Sequence, residues 1–393
     1  PSGTDKEKLL WIPGIYDSVV LYLCDDPVIE EVQVAPRIAA SSILVETTVH
    51  NRSSRDVSCT LSQRVVTWQG REERGSAEPL ELRLAAGERI TVRSEITIKD
   101  PVLWCPDNPF LYVLECSTGG DSVATRFGMR EFRFDTPTRR AYLNGEMIYL
   151  RGSNITLHRF FEDPDCGALP WDERWVRKLL VEIPRKLHWN CFRFCIGPVP
   201  DLWFDIADEA GLLIQNEYPI WVGDFDRHGW STDAIIKDMK LWMRDCMNHP
   251  SVAWWDACNE TRSETLTREV IPAVRTYDLS GRQWDNGYGP PVGPDDPVED
   301  HPYIMQRTDL DLSALEYIRG PVRPNAPYPT GHAAVINEYG WLWLNRDGSP
   351  TVLTKDVWEA RLPGATPEER MEHHAYLLAG LTELWRSRRE YAG

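Results

Sequence analysis

The sequence predicts a multidomain chain in which a β-sandwich precedes a (β/α)8 barrel whose residues run out before the eighth strand. Three observations predict it. Residues 29 to about 133 alternate apolar and polar side chains, with turn signals about every ten residues. After about residue 140, short apolar strands alternate with helical patterns, as they do in parallel α/β folds. The length of 393 residues exceeds one ordinary domain and suits two or three.

Taken in order, residues 1–28 hold one strand-like run, Ser18-Val19-Val20-Leu21-Tyr22-Leu23, and read as the end of an N-terminal region and a linker. Residues 29–133 form the sandwich, with strands such as Ile43 to Val49 and Ile90 to Ile96. Residues 134–393 form the barrel. Its strands are expected at 147–154, 191–196, 212–219, 252–259, 283–288, 299–304 and 333–340. Helices are expected near 172–188, 201–210, 233–247, 263–278 and 367–390. Seven strand units are in place by the seventh strand. No residues remain for an eighth strand and helix, which predicts an incomplete barrel.

Composition narrows the partners. The formal net charge is −17, from 60 acidic against 43 basic residues, so a phosphate backbone would be repelled and nucleic acid is not expected. No apolar run approaches the ~20 residues of a membrane helix. No charged segment followed by an apolar stretch opens the chain, so the sequence leaves its compartment open. Nine cysteines show no C-x2-C metal spacing and read as buried free thiols. The adjacent His373 and His374 point apart on a helix and make a poor metal site. The sequence calls for no cofactor and no metal. A homo-oligomer is compatible with it.

Catalytic groups of such barrels sit at the C-terminal ends of strands. Glu260 closes the fourth strand in His249-Pro250-Ser251-Val252-Ala253-Trp254-Trp255-Asp256-Ala257-Cys258-Asn259-Glu260, and Glu338 closes the seventh in Val335-Ile336-Asn337-Glu338-Tyr339-Gly340. Fourth and seventh strands face each other across a closed eight-stranded barrel, so the two carboxylates can flank one bond. Glycoside hydrolysis needs such a pair, one protonated and one ionised. A separation of about 5–5.5 Å goes with retention, and about 6.5–9.5 Å with inversion.

With those segments in view, the sequence resembles glycoside hydrolase family 2, the family of β-galactosidases, β-glucuronidases and β-mannosidases. The resemblance runs along essentially the whole chain and is most specific from His249 to Glu260. It implies that Glu260 is the general acid/base, Glu338 the nucleophile, and Asn259 the partner of the sugar 2-hydroxyl. Arg193, in Asn190-Cys191-Phe192-Arg193-Phe194, matches an arginine that contacts the nucleophile. Pro101 to Trp104, Pro109 to Tyr112 and Phe127 to Arg130 resemble the family's immunoglobulin-like domain. Leu143-Asn144-Gly145 and Leu150 to Asn154 resemble the approach to its barrel. Trp11 to Val19 resembles the end of its N-terminal sugar-binding domain. Two features depart from the family: Phe194-Cys195-Ile196-Gly197-Pro198 replaces a His-Tyr-Pro run, and no Asn-x-Lys motif occurs.

The remaining site candidates carry two readings each. His301, in Asp300-His301-Pro302-Tyr303, either touches substrate together with Tyr303 or packs in a loop. Glu217 either lines the pocket or pairs with Arg193. Trp221, Trp341 and Trp343 follow strand ends and serve either as sugar platforms or as core. The implied function is a retaining exo-β-glycosidase, with a β-galactoside as first choice of substrate. The alternatives are a non-catalytic carbohydrate-binding relative, an inactive fragment, or a metal-dependent barrel hydrolase. The last lacks any His-x-His pair at a strand end.

Overall fold

The structure is a computed structural model that describes residues 14–15, 17–157, 160, 165–309, 312 and 331–393. Part of the Trp11 to Val19 segment therefore lies outside the described residues. The run Ser18 to Leu23 is not a strand. It is irregular and its side chains are exposed, Leu23 to 86%. The local pattern suits a strand, but no neighbouring strand among the described residues supplies backbone partners.

The N-terminal region is built from strands β1 (Val28–Arg37), β2 (Ser42–His50), β3 (Val57–Thr67), β4 (Glu73–Ser76), β5 (Leu80–Leu84), β6 (Arg89–Thr97), β7 (Tyr112–Ser117) and β8 (Ser122–Phe127). They form an antiparallel sheet β1-β2-β6 and a second sheet β4-β3-β7-β8, with β5 also paired to β3. Val34, Ile43, Val45, Val65, Ile96, Leu114 and Phe127 fill one apolar core there. The period-2 alternation of β2 and β6 turns one face into that core, as the sequence predicts.

A small antiparallel sheet follows: β9 (Phe132–Asp135), β10 (Arg140–Leu143) and β11 (Glu146–Ile148). The predicted first barrel strand, 147–154, is thus two elements. Asn144 and Gly145 both have positive φ, 53° and 83°, and turn β10 back into β11. The barrel strand itself is β12 (Gly152–Ile155).

Five parallel strands pair in order: β12, β13 (Cys191–Phe194), β14 (Leu213–Glu217), β15 (Val252–Asp256) and β16 (Trp284–Asp285). A second parallel pair joins β17 (Val298–Asp300) to β18 (Ala334–Ile336). Beyond β18, residues 391–393 pair with it and with the approach to β12. Ala392 N–H donates to Ala334 O at 2.7 Å and Ala392 O accepts from Leu150 N–H at 3.0 Å. Tyr391 bridges Ala334 in parallel, and Ile336 N–H reaches Gly393 O at 3.1 Å. Tyr391, Ala392 and Gly393 therefore lie between β18 and the approach to β12. Their place depends on hydrogen bonds to residues far away in sequence, which no local pattern announces.

Helices α1 (Glu173–Arg177) and α2 (Ile183–Leu187) flank a wider π-helical turn, Lys178–Glu182. The same wide turn, Leu266–Val270, precedes α5 (Ile271–Arg275). Each wide turn is followed by an Ile-Pro pair, and proline has no N–H to close the regular ladder. Helices α3 (Asp201–Ala210) and α4 (Thr232–Cys246) separate β13, β14 and β15, while α6 (Lys355–Arg361) and α7 (Pro367–Ser387) follow β18. Thr366 and Glu369 make a capping box at the start of α7, with Pro367 at its first position.

The barrel floor is aromatic. Trp254 stacks on Phe132 at 5.4 Å and meets the ring of Phe134 edge-on at 5.3 Å. Leu213, Ala253, Val335 and Ala392 complete this layer, so β9–β11 close the bottom of the strands. The most specific sequence segment sits at this same end. Asn248 donates to Val32 O and accepts from Val34 N–H of the sandwich. Asp208 accepts from Ser251 N–H at 3.0 Å and faces His249 Nδ1 at 2.7 Å. Two buried guanidiniums grip the start of β15: Arg130 on Pro250 O and Val252 O, Arg282 on Val252 O and Met247 O. Burial and the neighbouring Arg282 charge pull Arg130 down to about 9. This segment anchors β15 at its N-terminal end and leaves Glu260 at the other.

Candidate active site

Arg193 is the hub. It leaves β13 toward the barrel interior and is 2% exposed. Its Nη1 donates to Glu338 Oε1 at 2.5 Å and its Nη2 to Asn259 Oδ1 at 2.9 Å. Its Nε reaches Asp256 Oδ2 at 3.2 Å, and Nη2 also binds Glu217. One cation thus hydrogen-bonds three carboxylates and stands 3.8 Å from a fourth, Glu299. Burial, set against one shared guanidinium and crowded by Asp256, leaves the Glu217 carboxyl well above its usual range. Burial and the like charge of Glu299 push Asp256 up to about 6 despite Arg193.

The two strand-end glutamates converge. A carboxylate oxygen of Glu260, one of Glu338 and a ring nitrogen of His301 all lie within 4.8 Å of one another. Glu338 Oε2 accepts the phenol of Tyr303. Glu260 Oε1 accepts the Tyr288 phenol at 2.7 Å and faces His301 Nδ1 at 3.1 Å. Burial and the adjacent Glu338 raise the Tyr303 phenol, which keeps it a donor. The glutamate side chains stay partly open, 17% for Glu260 and 15% for Glu338. Glu260 has φ +43°, a left-handed backbone that disfavours a side chain. Neighbouring bonds hold it there: Asn259 N–H to Ile220 O, Thr261 Oγ1 to Asn259 O, and Val222 N–H to Thr261 Oγ1.

The other predicted site residues divide. Asn259 joins the site, with its oxygen committed to Arg193. Tyr303 joins through Glu338. Glu217 is fully buried, with one oxygen on Arg193 Nη2 and the other accepting from Ile196 N–H at 2.5 Å. His301 is also buried, with its side chain 0% exposed, and it meets the glutamates rather than open space. Trp341 and Trp343 neighbour each other at 5.5 Å and are partly exposed. Trp221 packs with Cys195 and Ile196 in a buried cluster, as core.

Sequence reasoning passed over a layer of polar residues just beneath. Asp256, Asp285 and Glu299 bring one oxygen each within 4.8 Å of one another, all buried. Gln215 donates to Asp256 at 2.8 Å, and Asn337 to Glu299 at 2.6 Å. Burial and the charge of Glu299 raise Asp285 well above the carboxylate range. Burial opposes ionisation of Glu299 too, but His301, Arg193 and Asn337 overcome it and lower its pKa. The signal available was a charged residue within or ending a short parallel strand, where apolar side chains are the rule. Tyr288 carried no such signal.

Three side-chain groups converge closely enough to be tested as ligand sets: Asp205–Asp208–His249, Glu260–His301–Glu338 and Asp256–Asp285–Glu299. Protein cations already meet the first two: Arg126 and His249 in one, Arg193 and His301 in the other. In the third, burial and the charge of Glu299 raise both Asp285 and Asp256, and Arg193 Nε meets Asp256.

Comparisons with known proteins point to glycosidases. A profile described as glycosyl hydrolases family 2 matches residues 28–130. A β-glucuronidase of Formosa agariphila is 23% identical over 300 residues, covering 70% of this chain and 29% of its own length. A β-galactosidase of Bacteroides ovatus is 26% identical over 257 residues, covering 60% and 28% respectively. This chain therefore spans less than a third of the length of these curated relatives. Among solved structures, a β-glucuronidase from Ruminococcus gnavus superposes with a TM-score of 0.63 at 18% identity, over 94% of this chain and 61% of that one. A β-galacturonidase from Eisenbergiella tayi, bound to galacturonate, gives a TM-score of 0.63 at 17% identity, over 83% and 59%. The sandwich region matches the family 2 profile, and with its parallel strands the chain as a whole is similar to glycosyl hydrolases of that family.

Proposed function

We propose that this chain carries the catalytic apparatus of a retaining, exo-acting β-glycosidase. The observation that carries the reading is the convergence of Glu260 and Glu338 oxygens within 4.8 Å. Oxygens that approach this closely support carboxyl groups about 5–5.5 Å apart, as in retention, over the about 6.5–9.5 Å that seats a water for inversion.

Glu338, ionised and held by Arg193 and Tyr303, attacks the anomeric carbon. Its oxygen bonds to that carbon as the bond to the leaving oxygen breaks, and Glu260 gives its proton to the departing group. Glu260, now ionised, takes a proton from water. The water oxygen then displaces the Glu338 ester and restores both residues. Asn259, whose oxygen is occupied by Arg193, keeps its NH2 for the sugar 2-hydroxyl. Trp341 offers an apolar ring face to the sugar. Residues 29–133 form the immunoglobulin-like unit and 134–393 the catalytic barrel.

A β-galactoside is the first choice of glycone. Among the described residues, Arg193 and His301 are the cations in contact with the pair, and both already serve carboxylates. A β-glucuronide is the second reading, because a curated relative and a structural neighbour carry β-glucuronidase names. A panel of 4-nitrophenyl β-glycosides, with product anomers followed by NMR, tests the reading. Release of the β-anomer first is expected. Release of the α-anomer first rejects retention, and no release from any member of the panel favours the binding-only alternative.

A further inference from the structure

His301 lies at the end of β17 with both ring nitrogens against carboxylates. Its Nε2 is 3.1 Å from Glu299 Oε2, and its Nδ1 is 3.1 Å from Glu260 Oε1 and 3.7 Å from Glu338 Oε1. A neutral imidazole has one donor and one acceptor nitrogen. Here both nitrogens face acceptors, which fits the doubly protonated ring. The other groups facing it are the Tyr288 phenol, 3.3 Å from Nδ1, and the Tyr303 ring, edge-on at 5.9 Å. Asp285 on β16 adds a further carboxyl nearby. Burial pulls the ring toward neutrality, but Glu299 and Glu338, with the hydrogen bonds to Glu260 and Glu299, hold it well above its usual range.

Glu299 fixes where the ring stands. The same Oε2 that meets His301 accepts Asn337 Nδ2 at 2.6 Å, and Asn337 directly precedes Glu338. One buried carboxylate therefore registers the ring against the strand that carries the second glutamate.

Resting on the retaining reading above, we propose that His301 is a positioning residue whose Nδ1–H follows the pair's single negative charge from Glu338 to Glu260, with Glu299 holding the ring for that purpose. Before attack the charge is on Glu338 and the proton on Glu260. Once the ester forms and the proton has left with the leaving group, Glu338 is neutral and Glu260 is ionised. The net charge of the pair is unchanged, but its location has moved across less than 5 Å. A fixed cation near both oxygens accompanies it without rearrangement. Because Nδ1 stands closer to Glu260, the ring favours the glycosyl-enzyme state, in which Glu260 must be an ionised base.

The test compares wild type, His301→Gln and Glu299→Gln in stopped flow, with 2,4-dinitrophenyl β-D-galactoside and β-D-glucuronide as probes. This leaving group needs no proton, so the first step does not depend on Glu260. In His301→Gln the burst rate is expected to stay within about threefold of wild type, while the steady rate falls about tenfold or more. The acidic limb of the steady rate is expected to rise by about one pH unit, because Glu260 loses the cation that favours its ionised form. Glu299→Gln keeps the ring but removes the carboxylate that holds it, and it should move both readouts the same way by less. Equal slowing of both steps in an active enzyme, or an unmoved acidic limb, overturns the inference and leaves the retaining reading standing. Absence of wild-type turnover on either probe overturns the inference together with that reading.

Discussion

At the scale of single residues, the site is a problem of shared charge. Arg193 bonds Glu217, Asp256, Asn259 and Glu338 from one buried position. Replacing it by Met removes the cation and strands buried carboxylates. A loss of about 3–5 kcal/mol is expected, read from urea unfolding, as for other buried pairs broken from one side. A loss under about 1 kcal/mol would mean that these carboxyls are already neutral without Arg193. The two glutamates are separable by their chemistry. Glu338→Ala should abolish turnover, and azide should restore it with inverted product. Glu260→Ala should spare dinitrophenyl glycosides and lose activity on poor leaving groups. Equal loss on both substrate types would remove the acid role from Glu260. Both glutamates were legible in the sequence because they end strands in specific motifs. Their environments were legible only in part: Arg193, His301 and Tyr303 were named as candidates, while Tyr288, on Glu260, was not.

At the scale of elements, β15 connects the interface with the sandwich to the candidate site. At its start, Asp208 accepts from Ser251 and faces His249 and Arg126. Burial disfavours the charged forms of both partners. For Asp208 the His249 charge more than compensates and lowers its pKa, and for His249 Asp208 raises it. The lowered carboxylate stabilises the fold above about pH 4 and loses that effect as pH falls. The raised histidine stabilises it below about pH 6.5 and loses that effect as pH rises through the folded value. The stability difference between wild type and Asp208→Asn should therefore peak between those limits. Thermal melts at several pH values would show it, and a difference flat from pH 4 to 9 would discard the pair as the source. Lower in the same strand, Trp254 is fully buried against Phe132 and Phe134. Trp254→Ala should cost about 3–5 kcal/mol through the cavity it leaves. The sequence marked β15 as a strand, but not that its first residues face the sandwich.

At the scale of the whole molecule, sandwich and barrel meet through close backbone contacts. Gly211 ends α3 with φ +75°, and a Cβ there would stand 2.6 Å from Pro106 Cα. Gly364 has a similar φ of +77° with nothing within 4 Å. Alanine at either position pays the left-handed backbone cost of about 1–2 kcal/mol. Only Gly211→Ala must also push the sandwich away, so its melting temperature should fall further than that of Gly364→Ala. Equal shifts would show that the contact yields without cost. The adjoining bond from Trp104 Nε1 to Asp208 O, 2.8 Å long, reports the same interface and would be lost with it.

By itself the sequence determined the order of the architecture, the positions of most strands and helices, and the two glutamates at strand ends. These follow from local causes: side-chain period, proline and glycine at ends, and short motifs. Only the tertiary structure decided three further things. It divided 147–154 into β11, paired with β10, and β12, paired with β13. It set Tyr391 to Gly393 at the eighth position. It gathered Asp256, Asp285, Glu299, His301 and Arg193 into one buried layer whose charges are shared. The last two depend on the register between strands distant in the chain, and a group's charge there depends on which others it meets.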